Sequence, residues 1–133
     1  MATELSPYLK FDGSAREAME YYRDIFGGEL EVTTFGEFGL DGPPEHIMHA
    51  VLRTPTGLVL MGSDTPPGKS YSPTGNVGIS LFGVDEQEMR GYWDRLADGA
   101  TIVMELERQM WGDVYGECVD RFGINWLVNI AVG

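Results

Sequence analysis

The sequence predicts an α+β domain of two βαβββ modules. Each is a curved mixed sheet with one helix on its outer face, and the two together enclose a cleft. Three observations predict it. The chain repeats itself, each repeat holds one segment of helical period, and each such segment follows one strand-like run and precedes three more. Sliding the sequence by 71 residues lays "FDGSAREAMEYYRDIFGGELEV" (11–32) on "FGVDEQEMRGYWDRLADGATIV" (82–103). Phe11 meets Phe82, Glu17 meets Glu88, Tyr21 meets Tyr92, Gly28 meets Gly99 and Val32 meets Val103.

The first module opens with the apolar run "YLKF". Ser14 and Glu17 then have the spacing of a capping box, so a helix is expected to begin there. Its core stripe is Ala15, Ala18, Met19, Tyr22, Ile25 and Phe26, and Gly27-Gly28 ends it. Three strands follow: "ELEVTTFG", then a "GLDGPP" loop, "HIMHAVLRT", a "PTG" turn, and "LVLMGS". The Pro-, Gly- and Ser-rich stretch "GSDTPPGKSYSPTGN" (62–76) reads as a surface linker. The expected modules are therefore 5–63 and 77–133, with 64–76 between them.

The second module repeats the order. "GISLF" is its first strand, Asp85 and Glu88 its capping box, and Met89, Tyr92, Trp93 and Leu96 its helical stripe, ended by Gly99. The aromatic pairs Tyr21-Tyr22 and Tyr92-Trp93 are expected to pin the helices to their sheets. The strands "ATIVMELER", "WGDVYGECV" and "INWLVNIAV" follow, the last two joined by a "DRFG" turn. A shift of 66 residues aligns the turns at Gly57 and Gly123 and sets His49 on Tyr115.

Composition narrows the function classes. Nine Lys and Arg against 21 Asp and Glu give a formal charge of −12. Such a surface repels phosphates, so no nucleic-acid partner and no anionic membrane is expected. Cationic ligands suit it. The single Cys118 has no partner for an internal disulfide. Neither a signal-peptide pattern nor an apolar run of about 20 residues is visible. The expectation is a soluble cytoplasmic protein.

Taken together, "PYLKFDGSAREAMEYYRDIFGGEL" (7–30), "HIMHAVL" (46–52), "LMGSDTPPG" (60–68) and "WGDVYGECVDRFGINWLVN" (111–129) resemble the vicinal oxygen chelate superfamily. This is the family of glyoxalase I, extradiol dioxygenases and bleomycin-resistance proteins, and the likeness is to its PhnB-like branch. The resemblance implies a glyoxalase-like fold covering nearly the whole chain. In metal-using members the first and last strands of each module supply His, Glu or Gln ligands. Carried over, those positions are Pro7 (or Leu5), Met61, one of Val77 to Ser80, and Leu127. No such ligand set is present, so the resemblance implies neither metal nor other cofactor here.

A relocated metal site would have to use Glu45, His46, His49, Asp113 or Glu117. On a strand, His46 and His49 differ by three and point to opposite faces unless a bulge intervenes. His46 is read as solvated. His49 lies mid-strand, either as a buried and satisfied histidine or as a ligand contact. Strand alternation puts Tyr115 and Glu117 on one face and Cys118 on the other, where its thiol is expected to be inert. "WG-x-x-YG" resembles the PhnB-like segment beside the cleft, with Val114 where a basic residue is common. Arg121 in "DRFG" stands where that branch usually has Pro.

The expected function is metal-free binding of a small cationic or aromatic molecule, such as an antibiotic held by sequestration. The contacts are His49, Trp111, Tyr115, Glu117 and Asn129. A metal-dependent lyase, isomerase or dioxygenase using His49 and Glu117 is the rival, and a structural or regulatory paralogue is the third reading. The resemblance also implies a homodimer.

Overall fold

The structure, a computed structural model, describes residues 3–71 and 76–132. It consists of two compact units, Met1–Pro73 and Thr74–Gly133. The first contains β1 (Tyr8–Phe11), α1 (Ala15–Phe26), β2 (Glu29–Thr34), a 3-10 turn (Gly36–Phe38), β3 (Ile47–Arg53) and β4 (Val59–Asp64). The second contains β5 (Ile79–Gly83), α2 (Glu86–Ala97), β6 (Thr101–Arg108), β7 (Val114–Val119) and β8 (Asn125–Ile130). Both are βαβββ units with the same sheet order, β1-β4-β3-β2 and β5-β8-β7-β6. In each, the first strand runs parallel to the last and the other pairs are antiparallel.

Helix α1 buries the stripe its sequence spelled out: Ala15, Ala18, Met19, Tyr22, Ile25 and Phe26. It packs on β2, β3 and β4, whose sheet offers Leu9, Phe11, Ala50, Leu52 and Leu60 from the core. Each large side chain so buried contributes about 1.5–3 kcal/mol. The expected Ser14 cap does not form, for Ser14 makes no side-chain hydrogen bond to the helix. Asp64, at the end of β4, takes its place. One carboxylate oxygen accepts from the N–H groups of Gly13 (2.8 Å) and Ala15 (3.0 Å), and the other from Ile47 N–H (2.8 Å). One buried acidic residue thus ties the start of α1 to the start of β3. A linker beginning at Gly62 or Asp64 is therefore corrected, because Gly62, Ser63 and Asp64 are strand. Within the expected linker, Ser72 to Gly75 lie outside the described residues.

The cap of α2 does form: the Asp85 carboxylate accepts from Glu88 N–H at 3.1 Å. Met89, Trp93 and Leu96 are buried, whereas Tyr92 is not among them. Its hydroxyl donates to Glu88 one turn back, at 2.5 Å. Partial burial and the adjacent carboxylate push the Tyr92 phenol from 10.0 up to about 12. Tyr92 is a surface tether on its own helix, and Trp93 alone of that pair enters the core.

The hairpins obey the 66-residue shift. Thr54 and Asp120 each accept from the N–H at the third position of their turn, and each donates its own N–H to the residue closing it, Leu58 or Ile124. The side chains do the same work at both places: Thr54 Oγ1 accepts from Leu58 N–H (3.0 Å), and Asp120 Oδ1 from Ile124 N–H (3.0 Å) and Phe122 N–H (2.9 Å). Gly57 and Gly123, with φ of 90° and 88°, close the turns. Asp120 does more than Thr54, since its second oxygen accepts from the buried Trp126 indole at 2.8 Å.

The first strands break the repeat. The 71-residue shift that superimposes the helices pairs Phe11 with Phe82, but the strand register pairs Leu9 with Gly62 and Leu81 with Val128. Leu9 therefore corresponds to Leu81 and Phe11 to Gly83, one residue beyond the helix shift. Three residues, Asp12 to Ser14, join β1 to α1; only Val84 and Asp85 join β5 to α2. A one-residue slip flips side chains across a sheet. Phe11 is 1% exposed beneath α1, while Phe82 is 65% exposed on the opposite face. Gly83 fills the helix-side position instead, where an added Cβ would lie 2.8 Å from Met89 Sδ.

Candidate functional site

Each sheet has one face covered by its helix and one open face, and the candidate residues lie on the open faces. In the second unit, register aligns Phe82, Asn129, Tyr115 and Glu107 across the four strands. The next row holds Ser80, Leu127, Glu117 and Met104. Alternation along β7 sends Tyr115 and Glu117 to this face and buries Val114, Gly116 and Cys118 on the other.

The polar groups of this face are mainly acceptors. The Tyr115 hydroxyl donates to Glu117 Oε2 at 3.2 Å. Burial, reinforced by the Glu117 charge, raises the Tyr115 pKa, so the phenol stays protonated. Asn129 Nδ2 donates to Asp113 Oδ2 at 3.1 Å, and Asp113 Oδ1 accepts from Val132 N–H at 3.3 Å. Trp111 stands edge-on to Tyr115, ring centroids 5.8 Å apart at 65°, and is 58% exposed. Four of the five expected contacts are thus neighbours: Trp111, Tyr115, Glu117 and Asn129. Phe82 escaped the sequence because the repeat alignment put it on the helix side; the shorter link from β5 to α2 was the available signal.

His49 belongs to the first unit. Its ring stacks on Tyr8 (5.7 Å, 27°), and its Nδ1 lies 3.2 Å from the Tyr8 hydroxyl. Between the pairs Thr33–His49 and Thr34–Ile47, Met48 is an extra residue, so β3 carries a bulge there. His46 nevertheless does not join His49. It lies just before β3, half-buried and edge-on to Phe35 at 6.1 Å. Cys118 is 1% exposed, and burial with the nearby Asp120 charge pushes its thiol from 9.0 up to about 11. That is the setting of an inert thiol.

The register shows which residues stand near the positions that the resemblance carried over. On the open faces, the first and last strands pair Tyr8 with Met61 and Ser80 with Leu127. Pro7 precedes β1, and its carbonyl accepts from Met61 N–H at 3.1 Å. A phenol, a thioether, a hydroxyl and an isobutyl group do not suit a divalent ion that takes imidazole and carboxylate donors. Among the described residues, no group of three or more His, Cys, Asp or Glu is placed to hold a metal. Among them also, no helix is long and apolar enough to cross a membrane.

The first unit carries a feature that no motif announced, an open depression of about 420 Å³. Tyr8, Lys10 and Ser63 line it from the sheet, with Phe35, Leu40, Met48 and Pro66 as apolar wall and Asp64 at its edge.

Two like βαβββ units, with candidate contacts on their open faces, define a glyoxalase-type protein. The chain belongs to the Glyoxalase/Bleomycin resistance protein/Dioxygenase superfamily, which it matches over residues 5–128. It is similar to Protein YjdN of Escherichia coli strain K12, with 31% identity over 145 residues, 96% of this chain and 95% of that protein. The crystal structure of PA1353 from Pseudomonas aeruginosa superimposes with a TM-score of 0.89 at 34% identity, covering 97% of this chain and 98% of that one. A PhnB protein from Bacillus cereus shares the fold with a TM-score of 0.82 at 23% identity, covering 97% of this chain and all (100%) of that one.

Proposed function

We propose that the protein is a PhnB-like, metal-free binder of small molecules. It takes a cationic or aromatic ligand on the open face of its second unit, as in the sequestration of an antibiotic. One observation carries the reading: the exposed Trp111 stands against Tyr115, whose hydroxyl meets the Glu117 carboxylate, with Asn129 beside them in register. An aromatic face ringed by carboxylates attracts a cation through ring quadrupole and charge alike, at about 0.5–2 kcal/mol for each well-placed ring. The net charge of −12 adds long-range attraction. His49, held against Tyr8 in the first unit, is not needed for binding at this face. Sequestration needs no general acid or base, and the donor sets at the ligand positions favour a site without metal.

The chain is proposed to act in the cytoplasm as a homodimer. Sedimentation equilibrium of the purified protein reads the association directly. The metal question is decided by elemental analysis after dialysis of protein prepared without chelators. Substoichiometric divalent metal is expected. A stoichiometric ion that survives dialysis would instead support a metal-dependent lyase, isomerase or dioxygenase.

A further inference from the structure

We propose that the depression in the first unit is a second binding site, one that takes an apolar or aromatic body bearing a carboxylate. It is independent of the cation-binding reading and uses other residues. At about 420 Å³ it has the size of a small-ligand pocket.

Its sheet side is a cluster of donors. Lys10 pairs in register with Ser63, and Tyr8 lies two residues before Lys10 on the same face. Strand spacing and rise place Ser63 about 5 Å and Tyr8 about 7 Å from Lys10. Lys10 has no hydrogen bond or ion pair among the described residues, unlike Arg23, Arg90 and Arg121, which pair with carboxylates. An ammonium without an acceptor, beside the Ser63 hydroxyl and a Tyr8 hydroxyl that it shares with His49 Nδ1, is suited to an anion. Asp64 does not reverse that chemistry. Its two oxygens already accept three backbone N–H bonds toward the start of α1 and of β3.

The opposite wall is apolar and held in place. Phe35 N–H donates to His46 O (2.9 Å), Gly36 N–H to Pro44 O (3.0 Å) and Leu40 N–H to Phe35 O (3.0 Å), which fixes the loop carrying Phe35 and Leu40. The bulge at Met48 brings that side chain to the same wall. A hydrophobic wall facing a donor cluster recognises an amphipathic carboxylate, its body on Leu40, Met48 and Pro66, backed by the buried Phe35, and its head on Lys10. The acidic surface opposes any anion at long range, but salt screens that term while the local contacts persist.

The probes are 3-phenylpropionate, its neutral amide, and 2-phenylethylammonium, titrated at millimolar concentration while backbone amide shifts are followed. The carboxylate is expected to bind about tenfold more tightly than the amide, with shifts centred on Tyr8, Lys10 and Ser63. Lys10→Met should bring the carboxylate down to the level of the amide and leave amide binding unchanged; Lys10→Gln repeats the test should the first variant misfold. Trp111→Ala should change nothing here. The proposal is overturned by equal binding of carboxylate and amide, by tighter binding of the ammonium, by shifts centred elsewhere, or by no binding at all.

Discussion

Replacing Asp120 tests how the last hairpin is held. Its carboxylate is 4% exposed and accepts from Phe122 N–H, Ile124 N–H and the Trp126 indole. The indole bond is buried and charge-assisted, worth about 1.5–3 kcal/mol; the two turn bonds are part-buried and worth about 0.5–1 kcal/mol each. Asp120→Ala should therefore destabilise the protein by about 2.5–5 kcal/mol, a large share of the 5–15 kcal/mol typical of a domain. Asp120→Asn separates the terms. Its amide oxygen can keep the turn, but its NH2 group then meets a second donor, the indole, so the loss should be about 2 kcal/mol. Urea unfolding followed by Trp fluorescence measures both, with the slope against denaturant unchanged. A loss under about 1 kcal/mol for the Ala variant would refute the assignment of Asp120 as the hairpin's anchor.

Two further outcomes follow from the helix side of the second sheet. An alanine Cβ at Gly116 would meet Leu106 Cα and Trp93 Cη2, both at 2.9 Å. Because one of these is backbone, Gly116→Ala should cost about 2–3 kcal/mol in the same urea assay, and an unchanged midpoint contradicts the packing. Cys118 should resist thiol reagents at pH 9 in the folded protein and react once it unfolds. Its folded pKa of about 11 lies above the ordinary 9.0, so its contribution to stability is complete below pH 9 and is lost as pH rises through 11. Reaction of the folded protein at pH 9 would contradict the burial.

Local signals were legible wherever one element specified itself. The six buried residues of α1 could be read from helical spacing alone, and the shared 66-residue shift of the hairpins followed from turn glycines. What could not be read depended on partners distant in sequence. Ser14 looked like a cap, but Asp64, about fifty residues away, anchors the start of α1 instead, one carboxylate oxygen accepting from both Gly13 and Ala15 N–H. Phe82 matched Phe11 in letters, yet a strand-to-helix link one residue shorter turned it to the opposite face. The donor cluster of Tyr8, Lys10 and Ser63 joins two strands separated by the rest of the first unit. Trp111, Tyr115, Glu117 and Asn129 could be grouped beforehand because one hairpin and its lead-in carry all four.

The central claim is that the second unit's open face selects a cation without a metal. The most direct measurement is a calorimetric titration of metal-stripped protein with benzamidinium, benzamide and benzoate, three flat molecules of one shape and three charges. Benzamidinium should bind most tightly of the three. Glu117→Gln, Trp111→Ala and Tyr115→Ala should each weaken it about three- to tenfold, and Lys10→Met should not. Equal affinities for benzamidinium and benzamide, or binding that returns only when a divalent ion is restored, would contradict the claim.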